Sequence, residues 1–91
     1  MIVYVIERDN PDTTPEPEVF LDGKQAFQTM KDEYTKMMEA LGTTQEKADA
    51  GLGWYGCYCL FDEEHHVGSA SIESDFDVDR WRWRVTAHEI R

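Results

Sequence analysis

The stretch from Arg80 to Ile90 alternates in polarity with a period of two. A strand sends successive side chains to opposite faces, so Trp81, Trp83, Val85 and Ala87 fall on one side. Arg80, Arg82, Arg84, Thr86 and His88 fall on the other. Two tryptophans on one face of a strand need a covering layer, whereas the arginine face is suited to solvent or a partner. The fold must therefore supply a cover on one side of a sheet.

That cover is readable upstream. Ala26, Phe27, Met30, Tyr34, Met37, Met38 and Leu41 recur at helical spacing, with Lys24, Lys31, Asp32, Lys36 and Glu39 on the remaining surface. Asp22 with Gln25 matches a capping box, and Gly42 is placed to end the helix. Thr43 with Glu46 repeats the capping pattern, which predicts a short second helix over 44–50 stopped by Gly51.

The other segments read as strands. Ile2-Val3-Tyr4-Val5-Ile6 is β-branched and aromatic on both faces, the pattern of an interior strand. Residues 54–61 are again apolar on both faces. Asp62-Glu63-Glu64-His65 forms a turn, and 66–73 is the return strand of a hairpin. Pro11, Pro15 and Pro17 mark 10–17 as a loop, after which Val19-Phe20-Leu21 leads into the first helix. The order is β-α-α-β-β-β over residues 1–91 as a single domain. The expected class is α+β: a three- to four-stranded, mostly antiparallel sheet with one long and one short helix packed on one face.

Composition matters for what the surface can meet. Nine basic against nineteen acidic residues give a formal charge of −10, which repels nucleic acid and anionic lipid. No segment approaches the length of a membrane span, and Met1 to Ile6 lacks the basic start of a signal peptide. The expected compartment is cytoplasmic. Cys57 and Cys59 are two apart in one strand, a spacing that strains a disulfide, so both are expected as free thiols.

Several chemistries fail on spacing. Gly51, Gly53 and Gly56 match no phosphate-cradling fingerprint. Asp75-Phe76-Asp77-Val78-Asp79 opens like a calcium loop, but Arg80 and Thr86 stand where such a loop needs glycine and a bidentate glutamate. Cys57, Cys59, His65 and His66 lack the intervals of a zinc ribbon or finger, although a metal-dependent sensor built on them remains a third reading. No nucleophile signature surrounds either cysteine. Neither a catalytic residue nor a cofactor is assigned.

The acids carry the remaining signal. Asp62, Glu63, Glu64, Glu73, Asp75, Asp77 and Asp79 form a block without Lys or Arg. A second block runs from Glu7 to Asp22 with Arg8 as its single cation. Carboxylates on alternate residues of an extended segment echo the charge and spacing of nucleic-acid phosphates, and Phe76 and Val78 are interleaved as apolar anchors. In size, acidity and α+β layout the chain resembles the small acidic inhibitors of phages and mobile elements, the anti-CRISPR and anti-restriction DNA mimics. The resemblance implies a non-enzymatic blocker that occupies the basic groove of a nuclease, CRISPR effector or other nucleic-acid-binding protein, without binding nucleic acid or membrane itself. Asp62, Glu63, Glu64, Glu73, Asp75, Asp77, Asp79 and Phe76 would make the contact. The alternative is an accessory or housekeeping domain that dimerises, or binds a cellular protein, through Arg80, Arg82, Arg84 and His88 on the open sheet face. Those arginines are otherwise expected to form a ladder with cross-strand carboxylates such as Glu73.

Overall fold

The computed structural model describes residues 1–91, in the order β1 (Ile2–Asp9), β2 (Glu18–Phe20), α1 (Gly23–Ala40), α2 (Gln45–Asp49), β3 (Tyr55–Asp62), β4 (Val67–Ser74) and β5 (Arg80–Glu89). The strands make one antiparallel sheet with spatial order β2-β1-β5-β4-β3. The α+β class holds, with a fifth strand added. Val19-Phe20 does not merely lead into the helix: β2 pairs with β1 through Tyr4–Phe20, Val5–Val19 and Ile6–Glu18. Three residues are too short to show a period, which is why this strand is silent in the sequence.

α1 forms where its apolar stripe predicts. Asp22 is extended (φ −101°, ψ 111°), and its Oδ1 accepts from the amides of Lys24 and Gln25 at 3.0 and 3.4 Å. This satisfies two of the donors that a helix start leaves orphaned. At the far end Gly42 takes φ 72°, and the Thr43 amide reaches back to the Met38 carbonyl at 2.9 Å. Glycine adopts that left-handed turn without a Cβ penalty. The second capping box is shifted by one residue: Thr44, not Thr43, is the N-cap of α2, its Oγ1 accepting from the Lys47 amide at 3.1 Å.

The core lies between α1 and one face of the sheet. Ala26, Phe27, Met30, Tyr34 and Met38 of the helix meet Ile6, Cys57, Ala70, Ile72, Trp83 and Val85. Trp83 and Val85 are buried as the alternation of β5 requires; Trp81 is half-buried and Ala87 is exposed at the strand end. The Tyr34 ring packs edge-on against both Phe61 and Trp83, at centroid distances of 6.2 and 5.8 Å. Along its thinnest axis the chain measures 16 Å, which is room for a sheet and one helical layer but not for a third. One face of the sheet is therefore bare.

A charged node crosses the margin of this core. Arg8 Nε and Nη2 donate to the two carboxylate oxygens of Glu33 at 2.7 and 2.8 Å, and Trp83 Nε1 donates to the same carboxylate at 3.2 Å. Arg8 Nη2 also reaches Glu18 at 2.9 Å. These bonds hold the guanidinium protonated well above the ordinary arginine range, against the opposing effect of its burial. The node ties α1 to β1 and β5 through groups that would be costly to leave unpaired.

Candidate functional site

The residues singled out by sequence separate into three places. Asp62, Glu63 and Glu64 lie at the β3–β4 turn, at one end of the sheet. Glu73, Asp75, Phe76, Asp77 and Asp79 lie at the β4–β5 connection, at the other end. The eight-residue β4 between them spans about 23 Å, so the seven carboxylates do not form one continuous strip. The expectation of a single surface is corrected here, because a hairpin sends its turn and its open end in opposite directions.

The same topology gathers acids that sequence keeps apart. β1 and β5 are antiparallel with Asp9 opposite Arg82, so the end of β1 lies beside the start of β5. The loop 10–17, with Asp12 and Glu16, thus shares one end of the sheet with Glu73, Asp75, Asp77 and Asp79. Trp54 joins them, since Tyr55 pairs with Ser74 and the Asp75 amide donates to the Trp54 carbonyl at 2.8 Å. The Trp54 and Phe76 rings pack at a centroid distance of 4.3 Å while both remain well exposed. Val78 is 97% exposed, and Leu52 nearby in sequence is also exposed. The Asp77 carboxylate accepts from the Asp79 amide at 2.9 Å and Ser74 Oγ accepts from the Phe76 amide at 3.3 Å, which shapes the connection as a turn. The sequence does not mark Trp54 as a site residue, because its partner Phe76 is 22 positions away and no local pattern joins them.

At the opposite turn, Asp62 is tied down differently. Its carboxylate meets His65 Nδ1 at 2.8 Å and accepts from the His65 amide at 3.1 Å. The hydrogen bond with the His65 ring, then that with its amide, hold the Asp62 carboxyl below the usual range. Glu63 pairs with Lys31 of α1 at 3.0 Å, on an exposed rim.

The bare face carries the arginines. Ser71 stands between Arg82 and Tyr58, and Ser69 between Arg84 and Leu60. Small serines flanked by long neighbours leave a trough of about 1000 Å³. The expected ladder with Glu73 is corrected: Arg80 is opposite Glu73 in register, but the ion pair that forms is Arg84 Nη2 to Glu7 at 3.1 Å. Arg80 and Arg82 make no ion pair. His88 Nε2 bonds Thr86 Oγ1 at 2.7 Å on the same face.

The cysteine–histidine set is not assembled. Cys57 and Cys59 sit opposite Ile72 and Ala70 within the hairpin, while His65 and His66 belong to its turn, with His66 against the Phe27 ring. No three His, Cys, Asp or Glu side chains are arranged to hold a metal ion. Both thiols are free. Cys57 is buried, and burial first, then the nearby Asp49 and Cys59, push its thiol up. Cys59 is exposed. An Ellman titration at pH 8 is expected to find one reactive thiol per native chain and two after denaturation. Two fast thiols in the native protein would contradict this placement.

No helix is long and apolar enough to cross a membrane. No family profile, curated protein or solved structure matches the chain.

Proposed function

We propose that the protein acts by binding and not by catalysis, as an acidic blocker of a nucleic-acid-binding protein such as a nuclease or CRISPR effector. The observation that carries this reading is the meeting of the acids of β1 and the loop 10–17 with Glu73, Asp75, Asp77 and Asp79 at one end of the sheet, beside the exposed Trp54–Phe76 pair. Asp9, Asp12, Glu16, Glu73, Asp75, Asp77 and Asp79 supply a negative field. Trp54, Phe76 and Val78 supply apolar anchors within it. A basic groove shaped for a phosphate backbone is attracted to such a surface, and the aromatic pair adds affinity that charge alone does not. Asp62, Glu63 and Glu64 are too distant to share the same contact and play at most a steering part.

The test uses a panel of purified nucleases and CRISPR effectors, with duplex DNA as competitor. Wild-type protein is expected to bind a member of the panel and to be displaced by DNA. Affinity should fall roughly tenfold to a hundredfold on raising salt from 50 to 200 mM, and by a similar factor in the Asp75→Asn, Asp77→Asn, Asp79→Asn variant. Binding that ignores salt, DNA and these three substitutions would sink the proposal.

The trough supports a second reading, in which a protein partner lies on the open face. In that case Arg82→Ala with Arg84→Ala abolishes capture and the aspartate variant does not.

A further inference from the structure

The two edges of the sheet are protected unequally. β2 is three residues long, begins with Glu18, and follows a loop containing Pro11, Pro15 and Pro17. β3, at the other edge, runs eight residues as Tyr-Gly-Cys-Tyr-Cys-Leu-Phe-Asp. Its register with β4 is unbroken from Tyr55 to Asp62, so no bulge twists it away. It contains no proline or lysine, and its one charge is Asp62. Long, apolar, regular edges of this kind are templates for further pairing unless something covers them.

The covering is partial. In an antiparallel ladder, alternate residues turn both backbone groups toward the neighbour or away from it. Trp54 faces inward, its carbonyl accepting from the Asp75 amide; Tyr55, Cys57, Cys59 and Phe61 therefore face outward. Gln45 of α2 closes the first half of the edge: its Nε2 donates to the Cys57 carbonyl at 2.9 Å, while its Oε1 accepts from the Tyr34 hydroxyl at 2.5 Å. Beyond Cys57 the edge is bare. No backbone partner meets the N–H or C=O of Cys59 or Phe61. On the open face beside them Tyr58 is 60% exposed and Leu60 78%.

We propose that this half-edge is where two copies of the chain associate, β3 pairing antiparallel with β3 about a two-fold axis at Leu60. The proposal is independent of the inhibitor reading. In this register Cys59 of each copy exchanges N–H···O bonds with Phe61 of the other. Leu60 meets Leu60 across the axis, and Tyr58 meets Asp62. Centring the pair on Cys59 instead would drive the second strand into Gln45 at Cys57. Centring it on Asp62 would oppose like charges.

Charge argues for a second copy as occupant. The chain carries −10 overall, yet residues 57–61 are uncharged, so in this register no like charges stand opposite each other along the paired strands. The interface is small, on the order of 1000 Å² in total, which is the size class of weak, transient association. Salt should strengthen it by screening the surrounding carboxylates. That response is opposite in sign to the one expected for binding a basic groove.

Sedimentation equilibrium from 1 to 500 µM is expected to show a monomer–dimer equilibrium that shifts toward dimer between about 50 and 500 mM salt. Leu60→Lys should remain monomeric at every concentration with an unchanged melting temperature, because Leu60 is exposed. In a Cys59→Ser background, Leu60→Cys should give a disulfide-linked dimer with oxidised glutathione. Tyr58→Cys in the same background should not, since its counterpart lies about 13 Å away. A monomer throughout the range, a dimer that survives Leu60→Lys, or cross-linking favoured at position 58 would each overturn the proposal.

Discussion

Replacing Trp83 with alanine is expected to cost about 4 kcal/mol, roughly a quarter to four-fifths of the stability available to a domain of this size. Trp83 is 4% exposed and lies where α1 crosses β5, its ring edge-on to Tyr34 and its indole N–H on Glu33. Truncation removes the largest side chain from a thin core and strips a donor from the Glu33 carboxylate. The melting temperature should fall by about 20 °C, or the variant should be largely unfolded at 37 °C. Trp83→Phe keeps most of the volume and loses one hydrogen bond of three at Glu33, so about 1 kcal/mol is expected. Trp81→Ala should cost about 1–2 kcal/mol, because that ring is only half-buried and leans on Tyr55 at the margin. Calorimetry on the three variants checks the order. Equal losses for Trp81→Ala and Trp83→Ala would mean that the helix does not seat on Trp83.

The second large effect is electrostatic. Glu33→Ala should destabilise by about 3 kcal/mol, since it leaves Arg8 and the Trp83 indole without their shared acceptor. Arg8 has a side chain only 15% exposed and would keep just the outer contact to Glu18. Glu63→Ala removes a bridge of similar length, Lys31–Glu63 at 3.0 Å, yet should cost under about 0.5 kcal/mol because water already solvates both partners. Arg8→Met combined with Glu33→Leu should recover most of the loss, since an apolar pair leaves no charge stranded. Urea denaturation of these variants decides the matter: a loss for Glu33→Ala no larger than for Glu63→Ala would show that burial does not amplify the node.

The Arg8–Glu33 pair is not legible in the sequence. Arg8 reads as the lone cation in an acidic block, and Glu33 as one of many carboxylates. Their bidentate contact exists because β1 lies beneath α1, and 25 positions separate them in the chain. The same holds for Arg84: its partner is Glu7, which β5 meets only because the first and last strands are neighbours. Glu73 is the nearer candidate in sequence, but the register sets it opposite Arg80, whereas Arg84 faces Ser69 on β4 and Glu7 on β1.

What the sequence determined by itself was periodic and local. The 3.6-residue stripe of α1, the two-residue alternation of β5, the hairpin around Asp62 and the stop at Gly42 all depend on neighbours within a few positions. Each appears within a residue or two of its expected bounds. What only the tertiary structure decided was which strands are neighbours and which ends they share. β3 looks interior by composition, yet it is an edge, and Tyr58 and Leu60 stay in solvent. One acidic block is split by the length of β4, while acids from the two ends of the chain are brought together beside Trp54 and Phe76. Strand order is set by the summed burial of faces and by hydrogen bonding between distant segments, and no local pattern of residues records that sum.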